Sequence, residues 1–340
     1  MKTLYLPANK ENILRCADII KSGGIVAFPT ETVYGLGANA KDDNAIKKIF
    51  EAKGRPQDNP LILHIPYPEM AEELYSSVPE SYYKLASVFF PGALTLIYYK
   101  SDSVSDVATA GQSTVALRMP DNEIALELLR AAQVPVAAPS ANISGTPSPT
   151  KAEHVYNDMN GRIDAILDGG ECKIGIESTV LSLIGTPTIL RPGAVTKEML
   201  AAVIGEVQLS KSILQPLGSG EEALSPGMKY KHYSPNAQVY AVYGNEHEIA
   251  NKIAYHYDNF EKSGNRCVIL SSEENSRFYG ERKQIILGSR KKPEEFCKRL
   301  FSALRECDGY TTVLCETLQE HGAGLAFMNR LLRASGFKTL

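Results

Sequence analysis

The stretch Gly24-Ile25-Val26-Ala27-Phe28, running directly into Pro29-Thr30-Glu31-Thr32-Val33-Tyr34-Gly35-Leu36-Gly37, decides the fold class. The apolar run between Gly24 and Pro29 reads as a buried strand. Hydroxyls and backbone amides at its carboxyl end are placed to hold a small polar ligand, although a plain strand exit with a glycine turn accounts for the same residues. Upstream, Glu11 to Ser22 reads as a helix with Ile13, Leu14, Ala17 and Ile20 on one face and Gly23 at its end. Downstream, Asp42 to Lys53 reads as a second helix, capped by Asp42 or Asp43 and stopped by Gly54.

Further strands are expected at 61–65, 93–99, 114–119, 134–138, 163–167, 178–184 and 188–191. Helices are expected near 80–90, 121–132, 151–159 and 196–204. This alternation predicts an α/β domain with a mixed sheet over residues 1–205. Fifteen of the 19 prolines precede residue 206, so the remainder of the chain has a different grammar. Residues 206–236, with Pro216-Leu217-Gly218-Ser219-Gly220, Pro226-Gly227 and Ser234-Pro235, read as a linker. From 237 to 340 the order is strand 238–243, helix 246–262, strand 266–271, strand 284–287, helix 293–307, strand 311–315 and helix 325–335. That spacing predicts a small Rossmann-like domain. A length of 340 residues also exceeds what one core usually supports.

Composition narrows the function classes. A net charge of −3 excludes nucleic-acid binding by bulk charge, though not by a local patch. The longest apolar runs, such as Val88-Phe89-Phe90, are far short of a bilayer span, so no membrane association is expected. Met1 to Pro7 is followed at once by Asn9, Lys10 and Glu11, without a sustained apolar core, and a cytoplasmic protein is expected. Six scattered cysteines without a CxxC pair suit small core residues, and no metal site is identified.

Three more segments carry candidate chemistry. Lys53 and Arg55 sit on either side of Gly54, and Pro56 holds Arg55 extended; they either cap the helix or converge on one anion. Pro139-Ser140-Ala141-Asn142-Ile143-Ser144-Gly145 follows a strand and is either a solvated turn or a nest of amides for a phosphate. Arg118 lies inside the apolar run Val115 to Met119, where an unpaired charge is costly, so it needs an internal salt bridge or a carboxylate ligand. GxxxxGK[ST], HExxH and GxSxG are all absent.

Taken in order, these segments resemble the YrdC-like family, in its two-domain branch of threonylcarbamoyl-AMP synthases. The K-x-R and S-x-N pattern stands here as Lys53/Arg55 and Ser140/Asn142. Around it lie Phe90-Pro91-Gly92-Ala93-Leu94-Thr95, Arg118-Met119-Pro120, Gly175-Ile176-Glu177-Ser178-Thr179-Val180 and Arg191-Pro192-Gly193. Ser225 to Pro235 extends the likeness to the two-domain members.

The resemblance implies an open mixed sheet with a cationic cleft and an ATP-dependent synthase. Its substrates would be L-threonine, bicarbonate and ATP, with Mg2+ accompanying the nucleotide. Its products would be pyrophosphate and an adenylate used for N6-threonylcarbamoyladenosine in tRNA, through downstream transfer proteins. It further implies Lys53 and Arg55 as the catalytic cations. Thr32, His64, Arg118, Ser178 and the Ala138 backbone would surround threonine. ATP would meet Lys53, Arg55, Asn59, Thr114, Ser140, Asn142, Ser148 and Arg191. Tyr233 would close from the linker, with 206–236 as a lid. Attack on the α-phosphorus needs cations and positioning more than a protein nucleophile, consistent with the lack of a catalytic triad. A non-catalytic double-stranded RNA or tRNA-binding module is the rival from another class. A carbamoyltransferase of the hydrogenase-maturation type is a further enzyme reading, but those carry zinc-finger and acylphosphatase regions that this sequence lacks.

Overall fold

The computed structural model describes residues 2–215 and 233–340. Its first unit is built on an eleven-stranded mixed sheet. In spatial order the strands are β1 (Leu4–Pro7), β8 (Ala165–Asp168), β2 (Val26–Phe28), β3 (Gly35–Asn39), β7 (Val136–Ala137) and β4 (Ile62–His64). There follow β6 (Thr114–Arg118), β5 (Leu94–Tyr99), β9 (Thr179–Ser182), β10 (Thr188–Arg191) and β11 (Gln208–Leu209). β2, β3, β7 and β4 pair antiparallel in succession, whereas β4 and β6 run parallel with His64 opposite Arg118. The centre of this sheet therefore sets residues from four separate stretches side by side.

Local signals explain the elements that frame the cleft. Asp42 caps the helix Asp43–Lys53 by accepting from the amides of Asn44 and Ala45, a bond that contributes about 1 kcal/mol. Gly54 ends that helix in the left-handed conformation at φ 60°, which turns the chain sharply between Lys53 and Arg55. Ile46, Ile49 and Phe50 of the same helix are buried in the main core with Leu36, Leu63 and Leu117.

Gly35-Leu36-Gly37 departs from expectation: the structure makes it a strand, not a turn after one. A Cβ at Gly37 would lie 2.7 Å from Val136 and 2.8 Å from the Phe28 ring, so glycine is required by close packing inside the sheet. The first sheet also runs past residue 205, because Gln208–Leu209 adds to the β10 edge. Residues 216–232 of the expected linker and lid, including Lys229, Tyr230 and His232, lie outside the described residues.

The second unit is a four-stranded parallel sheet in the order β12 (Gln238–Val242), β15 (Thr312–Glu316), β13 (Cys267–Ser272), β14 (Gln284–Gly288). Helices Glu246–Lys262, Pro293–Glu306 and Gly322–Ser335 complete it. The last begins three residues earlier than expected, because Gly322 and Gly324 hide its first turn from propensity reasoning. At the carboxyl edge of this sheet the fully buried Glu316 accepts from Ser272 Oγ, Asn275 Nδ2, Tyr279 OH and Arg290 Nη1 at 2.7 to 3.0 Å. All six cysteines are free and buried, and no described helix is long and apolar enough to cross a membrane.

The two units share buried contacts. Val33 and Ile176 of the first join a core cluster with Phe296, Phe301 and Phe327 of the second. Arg305 pairs with Asp158 at 2.7 Å. Gly175, at φ +82°, comes so close to the helix Pro293–Glu306 that a Cβ there would sit 2.3 Å from the carbonyl oxygen of Lys298. Gly175→Ala is therefore expected to lower thermal stability more than Gly54→Ala. Both residues have positive φ, costing about 1 kcal/mol for alanine, but a Cβ at Gly54 meets nothing within 4 Å. Equal losses in a thermal unfolding comparison would show that the contact between the units does not constrain Gly175.

Candidate active site

The central strands open onto a cleft lined by residues from several separate stretches of the chain. Lys53, Arg55, Arg118 and Arg191 all line it, and Glu177 is the single carboxylate among its described lining residues. His64, Ala138, Ser140, Asn142 and Tyr233 complete the lining that the sequence anticipates.

Each cation is held differently. The Lys53 ammonium is buried and donates to the carbonyl oxygens of Ser140 and Asn142 at 2.5 and 2.7 Å. Burial, and then the neighbouring Arg55, push its pKa well below the usual lysine value. Lys53 thereby ties the end of its helix to the Ser140–Gly145 loop, which is further shaped by Ser140 Oγ donating to Asn142 Oδ1 at 2.6 Å. Asn142 Nδ2 in turn donates to the carbonyls of Ile143 and Thr146. Ser140, Asn142, Ser144 and Gly145 of this loop line the cleft, while the amides of Ala141 and Ser144 are already given to the carbonyls of Tyr34 and Lys53. Arg55, half-buried at the mouth, donates to the carbonyl of Asn59 at 3.2 Å.

Arg118 has the internal partner that its apolar strand demands: Nη2 donates to Glu31 Oε1 at 2.7 Å and to Thr32 Oγ1 at 2.8 Å. Its guanidinium nevertheless lines the cleft, so a ligand carboxylate can add to that pair. Beside it, His64 is buried with Nδ1 unpartnered and its ring set edge-on to Phe28 at 6.0 Å. Burial, with the nearby Arg118 adding to it, lowers the imidazole pKa to about 3, so His64 is neutral at physiological pH.

Arg191, also in the lining, donates from Nε to the Ser178 carbonyl at 3.1 Å and from Nη2 to Ser178 Oγ at 3.2 Å. Burial is the first cause lowering its pKa, to about 10, and the positive field of Arg330 is the second. Tyr233 is 5% exposed, adopts φ +63°, and packs its ring 4.9 Å from that of Phe301. It belongs to the contact between the two units and at the same time lines the cleft.

Several anticipated residues stand one layer behind the lining. Thr32 supports Arg118, Ser178 supports Arg191, and Ser148 donates to Glu177 Oε1 at 2.5 Å. Asn59 is fully buried with neither side-chain polar atom partnered, and only its carbonyl reaches a lining residue. Thr114 is not brought to the cleft. It begins β6, four residues and on the order of 13 Å along the strand from Arg118.

Two residues were given no role in sequence reasoning. Glu177 lies inside the motif Gly175 to Val180, where the resemblance points to Ser178 instead. Arg330 lies within Leu325 to Ala334, an apolar setting like that of Arg118, and the same charge argument identifies it. Among the described residues no group of His, Cys, Asp or Glu could hold a metal ion.

Known proteins share this architecture. A family model described as "Telomere recombination", for the Sua5, YciO and YrdC proteins, matches residues 18–193. A second, described as "Threonylcarbamoyl-AMP synthase, C-terminal domain", matches residues 195–336. The threonylcarbamoyl-AMP synthase of Pyrococcus abyssi is 47% identical over 95% of this chain and 94% of its own length. That of Bacillus subtilis is 45% identical over 98% and 96%. The crystal structure of P. abyssi Sua5 complexed with L-threonine superposes with a TM-score of 0.92 at 44% identity, covering 100% of this chain and 99% of the other. E. coli YciO, at 24% identity and a TM-score of 0.51, shares the fold of the first unit over 57% of this chain.

The neutral His64 has a measurable consequence. Its pKa falls from about 6.5 in an unfolded chain to about 3 in the folded one, so its contribution to stability is complete above about pH 6.5. That contribution is lost progressively as pH falls toward 3. Between pH 7 and pH 5 the wild type should lose about 2 kcal/mol more stability than His64→Phe in urea unfolding. Parallel losses in the two proteins would mean that His64 is not held neutral.

Proposed function

This chain belongs to the two-domain threonylcarbamoyl-AMP synthase family, and we propose that its cleft divides that synthesis between separately anchored cations. The enzyme joins L-threonine, bicarbonate-derived CO2 and ATP into threonylcarbamoyl-AMP for the tRNA modification. The observation that carries this assignment is that the cations lining one cavity are held by separate anchors. Arg118 is anchored by Glu31 and Thr32 beside neutral His64, Lys53 by the Ser140–Asn142 loop, and Arg191 by Ser178.

Arg118 suits the threonine carboxylate, because a guanidinium already anchored by Glu31 and Thr32 is oriented before the ligand arrives. Neutral His64 can accept a hydrogen bond from the amine or hydroxyl of threonine without repelling the substrate's ammonium group. The unprotonated amine attacks the carbon of CO2, forming the N–C bond and releasing a proton to solvent. A carbamate oxygen then attacks the α-phosphorus of ATP; the bond to the β-phosphate oxygen breaks and pyrophosphate leaves. Charge accumulating on the phosphates is met by Arg55 and Arg191, while Lys53 fixes the Ser140–Asn142 loop.

Mg2+ would arrive with ATP as part of the nucleotide substrate. Glu177 in the lining and Glu31 beside Arg118 are each engaged by an arginine, and among the described residues no group of carboxylates could hold the ion.

Pyrophosphate release from ATP with Mg2+ and bicarbonate should require L-threonine. Arg55→Ala should reduce that release roughly a hundredfold, by removing a charge-assisted contact to phosphate. Arg118→Gln should raise the KM for threonine about tenfold or more, with little change in the KM for ATP. Threonine-independent release, or none from the wild type, would refute the synthase reading. Steeply salt-dependent RNA affinity without turnover would favour a binding module instead.

A further inference from the structure

Glu177 creates an electrostatic difficulty for a cleft that takes a triphosphate. It is the one carboxylate among the described lining residues, on the wall that also bears Arg191. The second unit resolves it. Arg330, on the helix Gly322–Ser335 and wholly buried, donates from Nε to Glu177 Oε2 at 3.1 Å and from Nη2 to the Glu177 carbonyl at 3.2 Å. Its Nη1 donates to the Pro192 carbonyl, next to Arg191, and to Asn329 Oδ1 at 3.1 Å. The other carboxylate oxygen of Glu177 is occupied by Ser148 at 2.5 Å. Burial alone would raise the Glu177 pKa, but Arg330, then Arg191 and Ser148, hold it below the usual carboxylate range.

We propose that Arg330 is a positioning residue of the nucleotide cleft: it neutralises Glu177, so that the one described lining carboxylate does not repel the phosphates of ATP. Without it, the Glu177 carboxylate would present an uncompensated negative charge to the triphosphate. A charge buried beside the substrate and deprived of its partner is strongly unfavourable, whereas removing both charges together is often nearly neutral. This gives the second unit a specific task in the site. The inference rests on the synthase reading for its choice of ATP as ligand.

The test is a double-mutant cycle of Arg330→Met and Glu177→Gln, read by calorimetric titration with MgATP and separately with L-threonine. Threonine-dependent pyrophosphate release is followed in parallel. Arg330→Met should weaken ATP binding about tenfold or more while changing threonine affinity less than about threefold. Adding Glu177→Gln should restore ATP affinity to within about threefold of the Glu177→Gln protein. A purely structural staple between the units would not be relieved by removing the carboxylate. Unchanged ATP affinity in Arg330→Met, or a double variant as weak as Arg330→Met, would overturn the proposal. If Arg330→Met is too unstable to assay, the double variant is compared directly with Glu177→Gln. ATP affinities within about threefold then support the inference, and a tenfold deficit overturns it. Because ATP affinity is measured directly, a wild type that binds ATP but shows no threonine-dependent release would fail the synthase reading alone.

Discussion

Four cations, Lys53, Arg55, Arg118 and Arg191, surround one cavity, and their mutual repulsion is the constraint around which the first unit is arranged. None can be left to the low dielectric without an acceptor, because desolvating an unpaired charge costs several kcal/mol. The fold supplies those acceptors by bringing distant segments together. The carbonyls of Ser140 and Asn142 hold Lys53, that of Asn59 reaches Arg55, Glu31 meets Arg118, and the carbonyl and hydroxyl of Ser178 hold Arg191. This internal bonding also orients the guanidinium groups before substrate arrives, so less order has to be imposed on binding. The strand order makes it possible, since β4 and β6 place His64 opposite Arg118 and β7 leads the Ser140 loop out beside them.

The sequence made the parts of this arrangement visible where the signal is local. Asp42 as a cap, Gly54 as a stop and the cations beside it are read within a dozen residues, and the helix Asp43–Lys53 forms as those signals require. The Rossmann-like alternation after residue 237 is equally local, and its strands and helices fall near the expected ranges. Non-local contacts were harder to see. Gly35 and Gly37 look like turn residues, and only the packed Phe28 ring and Val136 explain why they belong to a strand. Thr114 shares a strand with Arg118, yet its place at the far end is fixed by register, which spacing alone does not convey. Arg330 was legible in principle, because an arginine among Leu325, Phe327, Leu331 and Leu332 demands an anion just as Arg118 does. Its partner is 153 residues away, and no pattern in the intervening chain points to Glu177.

The second unit offers a contrast in how a buried charge is used. Parallel sheets generally take ligands at the carboxyl ends of their strands. Here that edge is occupied by Glu316, whose oxygens are filled by Ser272, Asn275, Tyr279 and Arg290. The carboxylate takes up hydrogen-bond donors that would otherwise face outward from the strand ends. The fold of this unit is therefore no guide to a ligand of its own, and its nearest link to the chemistry runs through Arg305, Arg330 and Tyr233.

The long sequence separation between Glu177 and Arg330 has a consequence for the order in which the chain is made. A ribosome delivers every cation of the cleft, from Lys53 to Arg191, well before it delivers the helix Gly322–Ser335. During synthesis the first unit can fold around its sheet while the Glu177 carboxylate still lacks its guanidinium. Docking of the last helix is then the event that sets the final charge of the pocket. A growing chain would thus pass through a stage with the cleft shaped but electrostatically incomplete, and competence would arrive in one late step, not by gradual accretion.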